Sequence, residues 1–330
     1  MEKMKIRQVQ HLNRIYGRLF STRPQSMAVI GDWQTGKSTL LRQLINPSVY
    51  EAFKPEAVEP LFFLYDIGSQ FKSWEQLLEE MSSDLIAATA EQHANVAEPN
   101  TTARSASCST GNPYQVFQEL VVSLHEKYYL YVLFDNFELL TQNPEVPLEF
   151  YSYLRSLANS YRIAYVTTSH GSLQSLCVRQ DICESPFFNI FTNLELKGFS
   201  EVETAELIAA YGISADPKQG FKLCGGHPGL TVKWLEFAQN GGKEPEDFIA
   251  ASSEYLNKWF AQFDADTAEV LKASAQRTAI PAALKFLEVT LRRKGYLDAE
   301  GCVSAEAFRS YLQGQIKPEK KGFFKQFFKK

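Results

Sequence analysis

Apolar runs of five to seven residues alternate along this chain with stretches of helical periodicity, and that alternation sets its frame. Ser26-Met-Ala-Val-Ile30, Pro60-Leu-Phe-Phe-Leu-Tyr65, Tyr129-Leu-Tyr-Val-Leu-Phe-Asp135 and Arg162-Ile-Ala-Tyr-Val-Thr-Thr168 are nearly unbroken in bulky side chains. They read as strands buried on both faces. Asn193-Leu-Glu-Leu-Lys197 predicts a fifth, shorter strand. Between them, Val9, Leu12, Ile15, Tyr16 and Leu19 recur at helical intervals, as do Leu77, Leu78, Met81, Leu85 and Ile86. The spacing also predicts helices over 39–45, 114–127 and 148–160. Such an order calls for a parallel sheet with helices on both faces and a ligand at the C-terminal ends of its strands. Residues 92–113 are rich in Ala, Ser, Thr and Asn and poor in large apolar side chains, which predicts a surface insertion.

Beyond Gly198 the strands give way to helices. Ser200-Glu-Val-Glu203 has the form of a capping box, with a helix running to Tyr211. Helical patterns follow over 217–223 and 229–239, with Gly225-Gly-His-Pro228 between them. From Glu254 the pattern is again helical, and Leu291-Arg-Arg-Lys-Gly-Tyr-Leu297 before Cys302-Val303 suggests a helix entering a small β-wing. The expected division is a core over 1–198, a helical segment over 199–250, a second over 251–316 and a tail over 317–330.

Composition narrows the picture. A hydrophobic fraction of 45% is ordinary for a globular protein, and a net charge of −4 gives no general pull toward nucleic acid. The charge is uneven, because the last fourteen residues hold six lysines and one glutamate. There Phe323, Phe324, Phe327 and Phe328 share one helical face, with lysines, Lys325 and Lys329 among them, opposite. A tail of this kind suits an anionic membrane surface, a partner's groove or the body of the chain itself. Cys108, Cys177, Cys183, Cys224 and Cys302 lack C-x-x-C spacing and are expected to be reduced thiols, without zinc. No secretory signal and no apolar run of about 18 residues is seen, so a cytoplasmic protein is expected, peripheral on a membrane if the tail binds one.

The chemistry concentrates in Gly31-Asp32-Trp33-Gln34-Thr35-Gly36-Lys37-Ser38-Thr39, which fits G-x-x-x-x-G-K-[ST] between a strand and a helix. In such a loop the glycines let the backbone wrap a phosphate, and successive N–H groups point inward at the helix N-terminus. Lys37 would reach the β- and γ-phosphates, Ser38 would coordinate Mg²⁺, and Thr39 would add a hydroxyl near the α-phosphate. ATP or ADP with Mg²⁺ is therefore the expected ligand. Asp135, the acid ending a bulky strand, would hold Mg²⁺ through water. Asn136 stands where a general base often follows that acid, and an amide orients water without accepting its proton. Glu138 either substitutes for it or is an exposed acid at a helix start. Thr167, Thr168 and Ser169 end the next strand, to sense the γ-phosphate or to cap the following turn.

Taken in order, the glycine loop, Asp135, the Thr-Thr-Ser strand end, Ser-Pro-Phe-Phe-Asn at 185–189, Leu-Lys-Gly-Phe-Ser at 196–200 and Gly-Gly-His-Pro at 225–228 resemble the STAND branch of AAA+-like ATPases. The resemblance is to the prokaryotic AAA-like domains related to the archaeal ATPase group, and covers about residues 5–315. It implies an α/β P-loop NTPase fold of the ASCE type, with a small helical lid and then a winged-helix domain. It also implies that Gly226, His227 and Pro228 line the adenine side. Proteins of this kind act as switches whose ATP and ADP states control association with a protein partner or another copy. Two departures stand out: Asn136, which points to slow hydrolysis, and Ser169-His170 where an arginine often stands. Two other functions fit the residues. One is a DNA-binding regulator using a helix near 282–294, and the other a scaffold that binds nucleotide without turnover.

Overall fold

The computed structural model describes residues 6–94 and 111–314. The tail, with Phe323, Phe324, Lys325, Phe327, Phe328 and Lys329, and most of the 92–113 insertion lie outside the described residues. All five apolar runs form strands: β1 (Ser26–Gly31), β2 (Pro60–Asp66), β3 (Tyr129–Asp135), β4 (Ile163–Ser169) and β5 (Phe191–Leu196). They pair in parallel in the order β2-β3-β4-β1-β5. The strand carrying Asp135 is thus separated by β4 from the strand that feeds the glycine loop.

The two-residue repeat of a strand distributes its side chains between two cores. Leu130, Val132 and Phe134 of β3, with Ile163 and Tyr165 of β4, join Leu78, Met81, Phe117, Phe150 and Leu154 on one face. Tyr131, Leu133, Ala164 and Val166 point the other way, to Leu12, Ile15, Tyr16, Leu40, Leu41 and Leu44. The first face is covered by helices Trp74–Ala94, Pro113–Leu124 and Leu148–Ser160, and the second by Ile6–Leu19 and Lys37–Leu44. With both faces covered, the strands are apolar throughout, and each fully buried leucine or phenylalanine contributes about 1.5–3 kcal/mol. By the same alternation, Asp135 and Thr168 fall on the face that carries the Lys37–Leu44 helix. The parallel α/β fold with helices on both faces agrees with the sequence reading.

The chain divides into two compact units, the break falling between Leu196 and Lys197. The described part of the second unit holds helices Glu201–Tyr211, Pro217–Cys224, Pro228–Gln239, Pro245–Ala251, Ser253–Phe260, Ala265–Gln276, Lys285–Lys294 and Glu306–Gly314. The Ser200–Glu203 capping box forms as read, each side chain satisfying the other residue's backbone N–H. Leu297 and Val303 make an isolated antiparallel bridge. Trp259 stacks on Phe308 at 4.3 Å between ring centroids and meets the His227 ring at 4.0 Å. These contacts knit the 199–250 helices to the helices that follow. Among the described residues no helix is long and apolar enough to cross a membrane.

Candidate functional site

The glycine loop leaves the C-terminal end of β1 and opens the Lys37–Leu44 helix. Its turn needs two left-handed residues, Gln34 at φ 52° and Gly36 at φ 93°. Gly31 is fixed by space instead, because a Cβ there would stand 2.5 Å from Thr35 Oγ1 and 3.2 Å from Leu196 Cβ. Thr35 donates its hydroxyl to the Asp32 carbonyl at 2.9 Å, tying the loop to itself. Gly36 occupies the N-cap position and no side chain caps the helix, so its first N–H groups face the loop without a side-chain acceptor.

Lys37 Nζ donates to the carbonyls of Gly31 at 2.7 Å and Asp32 at 2.9 Å. An ammonium has three donors, so a phosphate oxygen can take one without either bond breaking. Burial pulls the Lys37 ammonium below the usual lysine range, opposed by the carboxylates of Glu138, Asp32 and Asp135. Ser38 is half-buried on the first helical turn, as is Trp33 in the loop, while Gln34 and Thr39 are exposed.

Asp135, buried at the end of β3, accepts the Thr168 hydroxyl at 2.5 Å. The same hydroxyl accepts the Asn136 backbone N–H at 2.9 Å. Thr168 therefore uses donor and acceptor together to fix the acid and the turn after it. Ser169 turns its hydroxyl to the Gly171 carbonyl at 2.6 Å, the turn-capping arrangement. The groups suit magnesium in kind: Ser38 and Asp135 are hard oxygen donors, few in number, as a cation sharing phosphate oxygens and water requires. Among the described residues no cluster of three or more His, Cys, Asp or Glu side chains could hold a metal alone.

Asn136 adopts the left-handed conformation at φ 59°, and its amide donates to Asp66 Oδ1 at 2.9 Å. Asp66 ends β2 in register with Asp135, and the same oxygen accepts the Gly68 N–H at 2.9 Å. Glu138 opens the short helix Glu138–Thr141 and is only 8% exposed, so it is not the exposed acid that was one of its two readings. Its Oε1 lies 2.8 Å from His170 Nδ1, and its buried Oε2 has no protein partner. Motif reading passed over Asp66, and it noted His170 only as a departure from the arginine often found there, with no role. The only prior signal was position, since each ends or follows a strand beside the one carrying Asp135.

Within the second unit, His227 is the N-cap of the Pro228–Gln239 helix, its Nδ1 accepting the Leu230 N–H at 3.2 Å. The ring is 7% exposed, packed on Trp259 and near Tyr255. Pro228, also buried, occupies the first helical position. Gly226 accepts the Phe199 N–H at 2.6 Å, holding the entry to this unit against the loop.

The family profile described as Novel STAND NTPase 2 matches residues 118–224, from the helix before β3 to the end of the Pro217–Cys224 helix. The Walker-type ATPase PABY2304 of Pyrococcus abyssi superposes with a TM-score of 0.59 at 16% identity, covering 92% of this chain and 95% of that one. The ORC2 protein of Aeropyrum pernix, in its ADPNP–ADP complexes, gives 0.55 at 15% identity, covering 94% and 95%. The fold is that of an α/β P-loop ATPase. That fold agrees with the resemblance drawn from the motifs. No curated protein matches its sequence at a significant level.

Proposed function

We propose that this chain is an ATP-binding switch that hydrolyses ATP slowly and couples its nucleotide state to association with a partner. The observation that carries the reading is the uncapped Lys37–Leu44 helix behind a loop whose lysine is already drawn across its mouth. Phosphates would lie on the N–H groups of residues 31–38, with Lys37 on the β- and γ-phosphates. Ser38 and Asp135 would hold Mg²⁺, which when bound neutralises charge on the phosphate oxygens. Thr168 keeps Asp135 in place for it. Glu138 completes the acidic side of the pocket.

The link to a switch is covalent. β5 pairs with β1 along its whole length, ending with Leu196 opposite Gly31, and the second unit begins at the next residue. A shift of the loop on nucleotide exchange would act on the strand that leads into that unit. Residues 199–250 would serve as the lid and 251–316 as the winged-helix domain. In this reading Gly226, His227 and Pro228 would line the adenine side. The basic tail, residues 317–330, would recruit the protein to a partner or to an anionic membrane.

The test is ATP and ADP affinity for the wild type and Lys37→Ala. Charge-assisted hydrogen bonds contribute about 1.5–3 kcal/mol each, so Lys37→Ala should weaken ATP binding at least about tenfold. Unchanged affinity in that variant defeats the assignment. Separately, removing 317–330 should release the protein from anionic liposomes in sedimentation. Full-length protein that never sediments with them removes the membrane arm and leaves the nucleotide arm standing.

A further inference from the structure

We propose that Glu138, held by His170, takes the proton from the water that attacks the γ-phosphate, in place of the amide at position 136. The proposal rests on the nucleotide reading above and names the group that would perform its slow chemistry.

Three observations converge on it. First, the residue after Asp135 is withdrawn from the task. Asn136 is an amide in a left-handed turn, its Nδ2 donating to Asp66 Oδ1 at 2.9 Å. Second, Glu138 is a buried residue whose carboxylate has one oxygen engaged and the other orphaned. Buried acceptors without a protein partner are places where ordered water binds. Third, the His170–Glu138 pair sits just past the ends of β3 and β4, on the same margin of the sheet as Asp135 and Thr168.

His170 is a positioning residue. With a proton on Nδ1 it donates to Oε1, which fixes the carboxylate and leaves Oε2 for water. In the step, a water O–H bond breaks and its proton passes to Oε2 of Glu138. The water oxygen bonds to the γ-phosphorus as the bond from that phosphorus to the β–γ bridging oxygen breaks. That electron pair leaves with ADP, and Glu138 returns its proton to the released phosphate.

The experiment uses the full chain with Mg²⁺ and ATP, comparing Glu138→Gln, His170→Ala, His170→Asn and Asp66→Asn. Glu138→Gln should lower kcat about 100-fold or more, the usual worth of a positioned base. Its affinity for a fluorescent ATP analogue should stay within about threefold of wild type, because the amide keeps the shape. After incubation with ATP and rapid desalting, the nucleotide retained by Glu138→Gln should be ATP, where wild type retains ADP. His170→Ala should lower kcat with KM unchanged, and both His170→Asn and added imidazole should restore part of it. A merely structural role would not respond to imidazole. Wild-type turnover in Glu138→Gln overturns the proposal, and so does loss of turnover in Asp66→Asn alone. A wild type that binds ATP but never hydrolyses it also overturns the base assignment while sparing the binding reading. A wild type that binds no ATP removes the reading beneath it.

Discussion

Two glycine loops in this chain each open a helix, and the structure treats them in opposite ways. At 31–38 the N-cap is a bare Gly36 with no side-chain cap, and a Cβ added at Gly36 would meet nothing within 4 Å. At 225–228 the N-cap is His227, which satisfies the Leu230 N–H, and a Cβ at Gly225 would stand 2.6 Å from the Ala305 backbone nitrogen. Both loops use left-handed glycines, at φ 93° in the first and 57° and 72° in the second. The second loop spends its donors and its space on its own unit. The first leaves its helix start without a side-chain cap and the space at Gly36 open, which is what a site for a phosphate requires.

The largest effect expected from this contrast is at Gly226. Its φ of 72° already disfavours a side chain, and a Cβ would overlap the Phe199 carbonyl oxygen. That oxygen belongs to backbone, whose residue also donates its N–H to Gly226, so neither partner can turn aside. Gly226→Ala should cost more than about 4 kcal/mol, the range reserved for backbone collision combined with strain. A thermal melt should show the second unit unfolding early or failing to fold. A melt like that of wild type would mean that the loop is not packed as described.

His227→Ala comes next. It removes a helix cap, worth about 0.5–2 kcal/mol, and empties a ring site against Trp259. The combined loss should be about 2–4 kcal/mol in chemical denaturation. His227→Asn supplies an acceptor for Leu230 without refilling the ring site, so it should recover only the capping part. Full recovery by asparagine would show that the stacking contributes little.

These loops also mark what could be read from residue order and what could not. Tyr129 to Asp135 could be assigned in full, because a strand buried on both faces needs an unbroken apolar run and its acid must fall at the end. The glycine loop was legible for the same reason, its spacing being set by the turn itself. Glu138 had two readings because a short helix start can face either way. Its partner lies 32 residues off, just past the end of a neighbouring strand. Asp66 and Asn136 are 70 residues apart and meet only through the register of β2 on β3. His227 was read from the resemblance as a contact for the base. Its commitment to Trp259 depends on helix packing that local pattern does not encode.

The smallest structural effect, and the sharpest test of the contrast, is expected at Gly36. The left-handed backbone costs an alanine about 1–2 kcal/mol, but the space around it is open, so no collision adds to the strain. Gly36→Ala should therefore fold and lower the melting temperature by only a few degrees. The added methyl would stand beside the uncapped helix start, in the space that a phosphate needs in order to reach its N–H groups. ATP affinity should then fall by about tenfold or more while the melt barely moves, the reverse of Gly226→Ala. Isothermal titration beside a thermal melt separates the two quantities. If Gly36→Ala binds ATP as wild type does, the open space in the first loop has another purpose, and the contrast between the loops loses its functional meaning.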